Sequence, residues 1–63
     1  MLVAPGYLYI ALGDVVELDD GSRWRVEAVS WDTFSGYLVI DGGVFAYRPA
    51  IDRARVVRYT HND

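Results

Sequence analysis

The sequence predicts an all-β domain, a small antiparallel barrel of five to six short strands with a one-turn helix before the last strand. Three observations carry that expectation. Val, Tyr, Trp, Ile and Phe make up much of an apolar fraction of 52%, of which 14 percentage points are aromatic. Branching or bulk near Cβ suits such residues to a pleated, half-buried surface. Turn residues recur at short intervals, at Gly13-Asp14, Asp19-Asp20-Gly21-Ser22 and Asp41-Gly42-Gly43, and Asp and Gly tolerate the left-handed backbone of tight hairpins. No window places apolar residues at helical spacing with caps at both ends.

Taken in order, residues 1–12 form an N-terminal segment in which Tyr7 to Leu12 reads as a first strand or an extended arm. Val15 to Leu18 is the next strand, and the Asp19–Ser22 turn joins it to a longer one, Arg23 to Trp31. That longer strand changes phase. Trp24, Val26 and Ala28 share one face, then Val29 and Trp31 take the other, which predicts a bulge near Ala28 that lets a small sheet curl. Asp32 to Gly36 reads as a polar loop carrying an exposed Phe34, and Tyr37 to Ile40 as a mostly apolar strand. The Asp41-Gly42-Gly43 turn leads back through Val44 to Arg48, with Val44 and Ala46 on one face and Phe45 and Tyr47 on the other. Pro49 ends that strand because it has no N–H to donate. Ala50 to Ala54 is long enough for one tight helical turn. Arg55 to Tyr59 is the last strand and residues 60–63 read as a frayed tail. Core candidates are Trp24, Val26, Val29, Val39, Ile40, Val44, Ala46, Val56 and Val57, of which alternation sends some outward.

A chain of 63 residues is a single domain that buries only about 60% of its unfolded surface. There is no Cys, so neither a disulfide nor the commonest zinc site supports it, and self-association is the remaining support for so small a core. Absence of Cys fits a reducing compartment, and the cytoplasm is the expected location. The N-terminal residues carry no Lys or Arg and are broken by Pro5-Gly6, unlike a secretory signal. The apolar run from Tyr7 to Leu12 is far short of the roughly 20 residues that cross a membrane, so no membrane partner is expected. Net charge is −3, but Asp14, Glu17, Asp19 and Asp20 precede every basic residue while Arg48, Arg53, Arg55 and Arg58 crowd the C-terminal third.

Five short strands joined by tight hairpins, with one helical turn before the last strand, resemble the SH3-like barrel superfold. Gly13-Asp14-Val15-Val16-Glu17-Leu18, then Asp20-Gly21 and Trp24-Arg25-Val26, looks like the opening hairpin of such barrels, KOW-type domains included. From Gly13 to about Val56 the chain is also similar to the plasmid-encoded type II dihydrofolate reductases, small SH3-like barrels that assemble as tetramers around a central pore. The shared residues are Gly-Asp-x-Val, Trp24, Gly36-Tyr37-x-Val39 and Tyr47. Val44-Phe45-Ala46-Tyr47 stands where that family has Val-Gln-Ile-Tyr, so Phe45 replaces the active-site Gln, and the chain has no Lys to match the pore lysine.

Trp31, Phe34, Tyr37, Phe45 and Tyr47 exceed what so small a core needs, and aromatic side chains supply contact area at low entropic cost. They are the candidate partner-binding residues. Arg48, Arg53, Arg55 and Arg58, with Tyr47 and Tyr59 nearby, could together give phosphate contacts and stacking for nucleic acid; pairing with Asp52 or the acidic N-terminal half is the alternative role for these arginines. Asp14, Glu17, Asp19 and Asp20 lack calcium-loop spacing and fit turn chemistry. No metal, cofactor or catalytic set is predicted. His61, the only His, falls in the expected tail, and Ser22, Ser30 and Ser35 have no local base. The leading expectation is a non-enzymatic binding module, of the kind found in small phage or mobile-element proteins, acting through a protein partner or a second copy. A nucleic-acid-binding barrel stands second and a reductase-like enzyme third.

Overall fold

The structure is a computed structural model that describes residues 10–40 and 43–61, with the side chains of 43–45 outside the described set. Five strands follow one another along the chain: β1 (Val15–Leu18), β2 (Arg23–Val29), β3 (Thr33–Ile40), β4 (Gly43–Asp52) and β5 (Val56–Thr60), with a 3-10 turn at Arg53–Arg55. They form one antiparallel sheet in the order β4-β3-β2-β1-β5. The protein is all-β, and its single sheet is open, with β4 and β5 as its edges.

Local chemistry accounts for most of these boundaries. At the β1–β2 turn, Gly21 has φ +87°, a left-handed conformation that costs Gly nothing and other residues about 1 kcal/mol or more. Asp20 Oδ1 accepts from both the N–H and the hydroxyl of Ser22, at 2.9 and 2.6 Å, as an Asx turn does. In β2, Val26 pairs with Gly36 and Ala28 with Ser35, so Glu27 is the extra residue and the bulge expected near Ala28 lies one position earlier. Gly36 is what lets the strands close up there: a Cβ would run into the Arg25 carbonyl oxygen and lie 3.1 Å from its carbon.

Several expectations from the sequence are corrected. Asp32–Gly36 is not a loop, because β3 begins at Thr33. Pro49 does not end its strand, since β4 continues to Asp52. Arg48 pairs with Gly36 and Ile51 with Phe34, so Pro49 and Ala50 together oppose Ser35, and a proline is accommodated where an edge strand bulges. The helical turn sits at Arg53–Arg55, later than Ala50–Ala54, where the Asp52 side chain caps it by accepting from the Ala54 N–H at 2.9 Å. Thr60 belongs to β5 rather than to a tail. The arm residues Tyr7 to Tyr9, the Asp41-Gly42 turn and Asn62-Asp63 lie outside the described residues.

One face of the sheet holds the core, built from Ile10, Val16, Leu18, Trp24, Val26, Phe34, Ile51 and Val56, with Leu38 and Tyr59 packed against it. Trp24, Val26 and Val56 are as expected. Val29, Ile40, Ala46 and Val57 are exposed and Val39 half-buried, while the Val44 side chain is outside the described set. Val57 faces out because Leu18 pairs with Val56 and Glu17 with Arg58, leaving it as a bulged residue. Phe34, expected at the surface, is 1% exposed. It stands between Val29 on β2 and Ile51 on β4, a position that its polar sequence neighbours conceal.

The connection from β4 to β5 shows how strongly the sheet coils. A flat sheet of this size would hold its edges roughly 19 Å apart. The chain from Asp52 to Val56 reaches no more than roughly 14 Å even when extended, and less as a 3-10 turn. The edges therefore converge at that end, where the turn crosses the sheet. Arg53 N–H donates to Asp32 O at 3.0 Å on the β2–β3 side, and Arg55 O accepts from Asp19 N–H at 2.9 Å on the β1–β2 side.

Candidate functional site

Antiparallel pairing lines up one outward residue from every strand. Thr60 of β5 opposes Val15 of β1, Val15 opposes Arg25 of β2, Arg25 opposes Tyr37 of β3, and Tyr37 opposes Tyr47 of β4. A second row runs Arg58, Glu17, Arg23 across β5, β1 and β2. Their sequence neighbours Val16, Trp24 and Leu38 point to the core, as the two-residue period of a strand requires. The Tyr37 and Tyr47 rings lie 5.1 Å apart at 53°, a tilted pairing within the favourable range, and remain 44% and 49% exposed. Arg25, paired with Val15 on one side and Tyr37 on the other, donates from Nη1 to Gly13 O at 3.0 Å. A shallow groove of about 260 Å³ lies along β1, lined by Val15, Glu17, Arg23, Arg58 and Thr60 among others.

Of the aromatic candidates, the structure brings Tyr37 and Tyr47 together on this face. Trp31 is 91% exposed but stands in the β2–β3 loop, outside both rows. Phe34 is in the core, so its ring is removed from the exposed set. Phe45 lies in β4 with its side chain outside the described set.

The four C-terminal arginines do not assemble into one patch. Arg48 lies on the core side, its guanidinium 5.6 Å from the centre of the Trp24 ring. The Trp24 indole N–H is satisfied by Ser22 Oγ at 2.8 Å. Arg53 Nη1 donates to Ser30 O at 2.7 Å and to Trp31 O at 3.4 Å, which shapes the β2–β3 loop. Arg55 faces Asp19 at 3.1 Å and Asp20 at 3.2 Å. Its pKa is raised, first by the hydrogen bond to Asp19. The Asp20 carboxyl is held below its usual range, first by the Ser22 hydroxyl, then by the Ser22 N–H, with Arg55 adding to the effect. Arg58 Nε lies 3.4 Å from Glu17. Arg55 and Arg58 thus pair with the acidic N-terminal half.

One contact escaped the sequence. His61 Nδ1 lies 2.8 Å from Oδ2 of Asp14, an aspartate that is itself buried and accepts from the Ala11 N–H at 2.9 Å. The Tyr59 and His61 rings meet edge to face at 4.8 Å. The group fastens the end of β5 to the start of β1. Asp14 and His61 are 47 positions apart, and only the β1–β5 pairing makes them neighbours.

Among the described residues, no group of three or more His, Asp or Glu side chains gathers as a metal site. No helix among them is long and apolar enough to cross a membrane. Comparison with family models, curated proteins and solved structures finds no match.

Proposed function

We propose that the chain is a small, non-enzymatic binding module that docks a protein on the outer face of its sheet. The observation that carries this is the unbroken row Val15, Arg25, Tyr37, Tyr47, which sets exposed rings and a guanidinium side by side on four hydrogen-bonded strands. Tyr and Arg are the residue types that dominate binding energy at protein interfaces. Held on strands, they lose little further freedom when a partner arrives. The three-residue connection between edge strands supports reading the coiled sheet as an SH3-like barrel, a fold that hosts many functions.

The test is capture by wild type against the variants Tyr37→Ser and Tyr47→Ser. Both are expected to keep the far-ultraviolet spectrum of wild type and to bind the captured protein at least about tenfold more weakly, a loss of roughly 1.4 kcal/mol. Unchanged affinity in both would overturn the proposal. Light scattering separates two occupants: a dimer that the variants dissociate assigns the face to a second copy, and a monomer assigns it to a different protein.

A nucleic-acid surface on the C-terminal arginines has less support, because Arg55 and Arg58 face carboxylates and Arg48 lies over Trp24. Such binding would fall steeply with added salt, and a gel shift at low salt tests it. The reductase-like activity has the least support, with Phe45 at the position of that family's glutamine, and an assay for dihydrofolate reduction with NADPH decides it.

A further inference from the structure

We infer that the protein docked on the outer face presents an acidic, extended segment, whose carboxylates meet the exposed guanidinium groups of Arg23 and Arg58 on either side of Glu17; the inference rests on that face being the docking surface. In the register, one carboxylate serves two arginines: Glu17 stands opposite Arg23 on one side and Arg58 on the other. Only Arg58 is engaged with it, at 3.4 Å, and the Arg58 side chain is still 76% exposed. Arg23 is exposed, and no ion pair or hydrogen bond joins its side chain to a described residue.

Charge therefore accumulates on this face against the trend of the chain. The two rows hold Arg23, Arg25 and Arg58 against Glu17 alone, three positive charges less one negative, or +2, while the whole chain carries −3. Glu27, the next acid on β2, falls at the bulge and outside both rows. Guanidinium groups engage carboxylates with paired hydrogen bonds, and Thr60 adds a hydroxyl to the groove lining. The tyrosines flank Arg25 on the side away from the groove, so a segment crossing the strands meets charge first and rings next.

A short acidic peptide fits better than a polyanion. Nucleic acid owes its affinity to many phosphate contacts, and a net negative protein repels it at long range. One or two carboxylates need only the local surplus.

The experiment measures fluorescence anisotropy with three labelled probes: a peptide alternating Glu with Val, the same peptide with Gln for Glu, and a short oligothymidylate. The Glu peptide is expected to bind at least about tenfold more tightly than the Gln peptide. Arg23→Gln, which removes no hydrogen bond or ion pair to the described residues, and Arg58→Gln should each cut that preference several-fold, and added salt should weaken it. No preference for Glu, or a preference unchanged in both variants, overturns the inference, as does tighter binding of the oligothymidylate. If Tyr47→Ser weakens binding of both peptides equally and the arginine variants do nothing, the outer face stands and the acidic partner falls. If neither class of variant matters, both fall.

Discussion

The two faces of this sheet share the same strands and differ at every alternate residue. Along β1 and β2 the inner positions are Val16, Leu18, Trp24 and Val26, all buried, and the outer ones are Val15, Glu17, Arg23 and Arg25. On β3 and β4 the inner face seats Phe34 and Ile51, while the outer face keeps Tyr37 and Tyr47 open to solvent. Burial alone sets the inner set, because a domain this small has few residues to spare for a core. The outer set answers to no such demand, yet it is ordered across all five strands. On the proposed reading, stability belongs to the inner face and recognition to the outer one, and substitutions on one should leave the other nearly untouched.

The sharpest contrast is between two aromatic residues three positions apart in sequence. Phe34→Ala empties the centre of the core and should cost about 3–5 kcal/mol, comparable to the whole stability of a domain of this size, roughly 3–9 kcal/mol. Circular dichroism and urea titration would show a largely unfolded chain. Trp31→Ala, at a fully open position, should change stability by no more than about 0.5 kcal/mol. Equal effects at the two positions would erase the distinction between core and surface.

Two backbone-linked positions come next. Gly36→Ala forces a methyl group against the Arg25 carbonyl, and overpacking of this kind costs about 1–3 kcal/mol, read as a lower urea midpoint. Asp14→Ala removes the acceptor for the Ala11 N–H and the partner of His61. Ala11 and His61 are themselves exposed, so the cost is that of the hydrogen bonds lost, about 0.5–1.5 kcal/mol each, and it should show first as faster amide exchange in β5.

The smallest effect concerns acid. The Asp20 carboxyl is more acidic in the folded chain than when unfolded, chiefly through Ser22. A depressed carboxylate stabilises the fold above its unfolded pKa and loses that contribution as pH falls through the folded value. Wild type should therefore exceed Asp20→Asn in stability at neutral pH, and the gap should close below the usual carboxylate range. A gap that persists in strong acid would assign the effect to something other than ionisation.

Particular residues show why the sequence revealed the elements more readily than the site. Asp19-Asp20-Gly21-Ser22 declares its turn through local hydrogen bonds, and the phase change between Val26 and Val29 declares its bulge, because both depend on neighbours in sequence. Phe34 was obscured by Asp32, Thr33 and Ser35, since its burial depends on Ile51 across the sheet. The pairing of His61 with Asp14 and the flanking of Glu17 by Arg23 and Arg58 are likewise properties of register. Tyr37 and Tyr47 stood out as surplus aromatics, but their adjacency follows from the β3–β4 pairing alone. Pro49 misled because edge strands relax the rule that excludes proline from sheets.

The central claim is that recognition belongs to the outer face. It is tested most directly by following backbone amide resonances while the alternating Glu–Val peptide is added. The largest shifts should fall on Val15, Glu17, Arg23, Arg25, Tyr37, Tyr47, Arg58 and Thr60. Shifts confined to the β2–β3 loop around Trp31, or spread evenly over the chain, would contradict it.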